Sequence, residues 1–66
     1  MKIGVSKQEL IDSLSETLSL TRERVDHLEL KDNDTVVIHY KGGYQKSVNI
    51  AMDSGLAIIL DVSRAV

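Results

Sequence analysis

The side chains best suited to chemistry here are two histidines, His27 and His39, and a scatter of carboxylates. Imidazole ligates metals and exchanges protons near neutral pH, so the spacing of these two decides how much chemistry is on offer. His27 lies in a stretch that alternates apolar and polar residues, His27-Leu28-Glu29-Leu30-Lys31, and His39 in the β-branched and aromatic run Thr35-Val36-Val37-Ile38-His39-Tyr40, the clearest strand. Paired as a hairpin around Asp32-Asn33-Asp34, they set His27 directly across from His39 on the polar face, with Glu29 nearby. A metal site usually takes three or four ligands, and the chain has no HExxH, no Cys and no third His. Two solvated histidines on an open sheet face are the better reading, and no metal site is expected.

The remaining candidates are weaker. Asp32-Asn33-Asp34 begins like a calcium loop, but Val36 and Val37 stand where oxygen ligands are needed, so turn chemistry explains it. Seven serines occur, none in a Gly-x-Ser-x-Gly elbow. Gly42-Gly43 lacks the strand-to-helix setting of a phosphate loop. A domain of 66 residues also has little room for a water-excluding cleft of about 300 Å³. No catalytic residue and no cofactor are expected, and the chain is read as non-enzymatic.

Composition narrows the class. Leu, Ile and Val supply 21 of 66 residues, too many for a disordered chain, while Phe, Trp, Cys and Pro are absent. The core must be aliphatic, with no disulfide to support it. One domain spanning residues 1–66 fits. Ten acids against eight bases leave a formal charge of −2, no bulk drive toward nucleic acid or an anionic membrane. The longest apolar run, Leu56 to Leu60, is far too short to span a bilayer. Met1-Lys2-Ile3-Gly4 has no long apolar stretch behind it, so no signal peptide is expected and cytoplasm is the default compartment.

The elements that would position these residues follow from periodicity. Val5-Ser6-Lys7-Gln8-Glu9-Leu10 combines a hydrophobic staple, an N-cap and a capping box. Leu10, Ile11, Leu14 and Leu18 then repeat at helical spacing, predicting a helix from Lys7 to about Leu18. Two three-residue loops, Asp32–Asp34 and Lys41–Gly43, pair Leu30 with Val36, Leu28 with Ile38, Tyr40 with Tyr44 and Val36 with Val48. This register puts Leu28, Leu30, Val36, Ile38, Tyr40, Tyr44, Val48 and Ile50 on one face. Lys46 falls on that face too, its stem on the core and its ammonium in water. Residues 56–62 fit either a strand or a helix from Ser54 to about Ala65. The Asp53 cap favours the helix, with Leu56, Ile59, Leu60, Ser63 and Val66 turned inward.

The stretch from Leu14 to Leu28 resembles a helix-turn-helix. Leu14, Leu18, Leu20, Val25 and Leu28 have its apolar spacing, and Thr21 could start a second helix. That resemblance implies a small winged-helix DNA-binding protein, with Arg22, Arg24 and His27 as contacts. Charge opposes it: Arg22, Arg24 and Lys31 are balanced by Glu23, Asp26 and Glu29.

The expected fold is therefore α+β, in the order α-β-β-β-α, with an antiparallel three-stranded meander and both helices on one face. The expected function is a protein-interaction module that self-associates as a homodimer, with DNA binding as the alternative and nucleic acid not a favoured partner. The self-association surface expected is Ile58, Val62 and Ala65, which extend the apolar arc of the last helix beyond what one sheet face can cover.

Overall fold

Helix α1 (Lys7–Thr21) starts where the capping signal stands. The Ser6 hydroxyl accepts the Glu9 amide at 3.1 Å and donates to the Glu9 carboxylate at 3.3 Å. The computed structural model describes residues 6–66, so the expected packing of Val5 on Leu10 lies outside the described residues. The helix runs one turn past Leu18, because Ser19-Leu20-Thr21 contains no breaker. Ser19 and Thr21 bond back to the carbonyls of Glu16 and Thr17 at 2.9 and 2.8 Å. Arg22, extended at φ −122°, ends it by donating its amide to Leu18 at 2.8 Å. Residues 22–24 are thus a link, and the second helix required by a helix-turn-helix does not form.

Three antiparallel strands follow in order β1 (Val25–Lys31), β2 (Thr35–Tyr40) and β3 (Gln45–Asn49). Leu28 pairs with Ile38, Leu30 with Val36, and Val36 with Val48, as the parity argument requires. At the start of β1 one residue is extra: Val25 faces Tyr40 and His27 faces His39, leaving Asp26 in a bulge. The first turn holds Asp32 and Asn33 at φ 54° and 61°, a region that Asp and Asn tolerate better than most residues. Gly43 occupies φ 91° in the second.

Helix α2 (Gly55–Ala65) confirms the helical reading of the C-terminal segment. Its cap is Ser54 rather than Asp53: the Ser54 hydroxyl accepts the Ala57 amide at 3.3 Å. Both helices cover the apolar face of the sheet. The core contains Ile11 and Leu18 of α1, Val25, Leu28, Val36 and Ile38 of the sheet, Ile50, and Ile58 and Val62 of α2. Two expectations fail here. Tyr44 is exposed, because it precedes β3 and its ring lies over Gly42 rather than under a helix. The inward side of α2 is turned by about a third of a turn from the expected one, although Val66 packs against the core as expected. Ile58 and Val62 are fully buried and Ala65 packs at the core margin, whereas Leu56 and Leu60 point outward. A helix apolar around most of its circumference has no single phase dictated by periodicity. Here Ile58, Val62 and Ala65 supply the side that meets the core.

Candidate functional site

Two polar clusters can be built from these elements. The first is the histidine pair on the face of the sheet that the helices leave open. The rings stack with centroids 4.3 Å apart and planes 9° from parallel. His27 Nδ1 lies 2.7 Å from the Asp26 carboxylate, and His39 Nε2 lies 2.9 Å from Glu29. A carboxylate only accepts, so each facing ring nitrogen carries a proton. Stacked rings direct their in-plane lone pairs side by side rather than toward one point, and one nitrogen of each is already engaged. Among the described residues no group of three or more His, Asp or Glu is placed to hold a metal ion. The cluster is a cross-strand pair with flanking carboxylates, and such pairs contribute roughly 0.2–1 kcal/mol to a sheet.

The second cluster is a groove of about 960 Å³ at the end of the sheet where β1 begins. Three segments meet there. The α1–β1 link supplies Arg22, Glu23 and Arg24, the β2–β3 loop supplies Lys41, and Tyr40 and Tyr44 flank that loop. Backbone bonds join the segments: Lys41 donates to Arg24 at 2.8 Å, and Val25 donates to Arg22 at 3.0 Å. Tyr40 is half-buried, its hydroxyl donating to the Ala65 carbonyl at 3.3 Å. Tyr44 is 77% exposed. Among the described residues, Arg22, Arg24 and Lys41 enter no ion pair.

The wider surroundings are basic as well. Both helices point their C-termini to this end, where Lys46 donates to the Ala65 carbonyl at 3.1 Å and Arg64 occupies the last turn of α2. Cations beside a helix C-terminus are favoured by the exposed carbonyls, which accounts for Arg22, Lys46 and Arg64. It does not account for Arg24 or Lys41, which sit on a link and a hairpin loop. Five cations stand against Glu23 and Asp26 at this end, a local +3, so the rest of the chain carries −5 against a total of −2.

The residues named from sequence are therefore dispersed. Arg22 and Arg24 line the groove, while His27 stacks on His39 across the sheet and does not line it. Ile58 and Val62 are core residues and present no free surface. Sequence reasoning missed Lys41 and Tyr44 as groove residues. The signal was present, since a register that pairs Tyr40 with Tyr44 and extends to Val25 brings the loop beside Arg22 and Arg24. No helix among the described residues is long and apolar enough to cross a membrane. Comparison with known proteins finds no family model, curated protein or solved structure that matches the chain.

Proposed function

We propose that this chain is a non-enzymatic interaction module that binds an anionic partner in the basic groove. The observation that carries the reading is the convergence of Arg22, Arg24 and Lys41, free of ion pairs among the described residues, around one concave surface. Unpaired cations in a concave setting attract an anion from a distance and concentrate it. The −2 of the whole chain does not oppose this at close range, because the end of the molecule that holds the groove is itself net positive and more distant charges are screened by salt.

The test is a titration of the protein with a short polyglutamate and with inorganic polyphosphate, followed by amide chemical shifts. Shifts confined to residues 21–25 and 40–44, abolished in Arg22→Ala/Arg24→Ala/Lys41→Ala, are expected. Shifts spread over the surface, or unchanged in the triple variant, would remove the groove from consideration.

Self-association is a second reading, and the outer edge of β3, unpaired among the described residues, favours it. At the edge of β1 the Ser15 hydroxyl of α1 accepts the outward Leu28 amide at 2.8 Å, so that edge is partly occupied. Among the described residues nothing pairs with the outer side of β3, and an open edge of this kind is where a second strand adds.

A further inference from the structure

The groove differs from a plain cation cluster in its aromatic side chains. Tyr44 is 77% exposed beside Lys41 and two glycines, and its ring lies against the loop: a Cβ on Gly42 would lie 3.3 Å from Tyr44 Cδ2. An aromatic side chain this exposed buries little of its own apolar surface, so the fold gains little by placing it there. Tyr40 adds a second ring to the same groove, anchored through its hydroxyl to the end of α2. Cations that track phosphates and a ring on which a base can stack are the two components of single-strand recognition. An acidic peptide uses the first component and has no need of the second.

Duplex DNA fits less well. A major-groove reader inserts a helix or a two-stranded ribbon, and the Arg22–Arg24 segment that would have supplied the helix is a link between α1 and β1.

We infer that the groove binds single-stranded nucleic acid, with Arg22, Arg24 and Lys41 on successive phosphates and Tyr44 stacked on one base. The inference rests on the groove being an anion site and adds the identity of the anion. Three phosphate contacts imply a slope of log affinity against log salt of about −2, at roughly −0.7 per neutralised phosphate of a single strand.

The experiment uses fluorescence anisotropy of labelled 15-mers of deoxythymidine and of uridine with the full chain. A hairpin duplex and polyglutamate serve as competitors. Expected is binding of one or both single strands with the slope above, weakened about tenfold in Tyr44→Ala and retained in Tyr44→Phe, which keeps the ring. Arg22→Gln should reduce the slope by about 0.7 without removing the Tyr44 effect. The DNA and RNA arms tell which sugar is preferred. If Tyr44→Ala binds as tightly as the parent, or polyglutamate or the duplex competes as well as the single strand, the identity of the ligand is wrong while the anion groove stands. If neither oligonucleotide nor polyglutamate binds, both the inference and the groove fall. Circular dichroism of each variant guards against misfolding, and Arg22 and Tyr44 are both exposed.

Discussion

Ser6 and Ile58 mark the two extremes of what single residues decide in this chain. Ser6 is exposed, yet its hydroxyl receives the Glu9 amide, one of the helix donors that have no partner within the helix. Ser6→Ala should lower stability by about 1 kcal/mol, read as a shift of the urea midpoint with unchanged slope. An unchanged midpoint would show that water replaces the cap without loss. Ile58 is 1% exposed, so Ile58→Glu places an unpaired charge in the core and should unfold the protein outright, with loss of far-ultraviolet ellipticity. Leu60→Glu, on the outer side of the same helix, should change stability by no more than about 0.5 kcal/mol. The reverse ranking would mean that the helix sits in its other phase. The cap was legible because it depends on three neighbouring residues. The role of Ser15 was not: nothing in its local sequence sets it apart from the polar residues around it, and only the closeness of α1 to β1 makes its hydroxyl the acceptor for Leu28.

At the scale of elements, the sheet was legible and α2 was not, for one physical reason. In a strand the side chains alternate, so a one-residue error inverts every residue at once and Gln45, Ser47 and Asn49 would have faced the core. In α2 nearly every direction is apolar, so an error of about a third of a turn costs the pattern little, and neighbours outside the helix set its phase. The junction before α2 carries one such neighbour relation. The neighbouring Asp61 carboxyl, able to bond to it only when one of the two is protonated, together with partial burial and the Asp61 charge, holds the Asp53 carboxyl above its ordinary value of 3.8, while Lys7 pulls it down. Asp53 Oδ2 is shielded from water and accepts from no donor; two carboxyls can bond to one another only through a shared proton. The folded chain therefore binds that proton more tightly than the unfolded chain does. The pair's contribution to stability is full below pH 3.8 and is lost as pH rises through the raised value. Asp53→Asn supplies a permanent donor to Asp61. The variant should be more stable than the parent at pH 7, and the difference should shrink as pH falls toward 3.8. A difference that stays constant between urea midpoints at pH 7 and pH 4 would show that the two carboxyls do not share a proton.

At the scale of the molecule, charge and edge bear on the same question of self-association. Bonds at Tyr40–Tyr44 and Asp34–Ile50 place the even-numbered residues of β3 in hydrogen-bonded pairs with β2, so the amides of Gln45, Ser47 and Asn49 point outward. A second copy related by a twofold axis at Ser47 would pair antiparallel and exchange about six backbone bonds. That arrangement also lays the basic end of one copy beside the end of the other that carries Asp32 and Asp34, whereas parallel pairing would bring the two basic ends together. Lys46 on the edge and the shortness of β3 keep such an interface small against the roughly 1,200–2,000 Å² of stable complexes. The expected dimer is weak. Light scattering should report a mass near 7.3 kDa at micromolar concentration, rising toward twice that value at millimolar concentration. Raising salt to about 1 M, where the Debye length is roughly 3 Å, should weaken it. Ser47→Pro removes the central outward donor from an edge position where proline is tolerated, so the protomer should stay folded and the dimer should disappear. A mass of 7.3 kDa at every concentration, or a dimer untouched by Ser47→Pro, would leave β3 as an ordinary solvated edge.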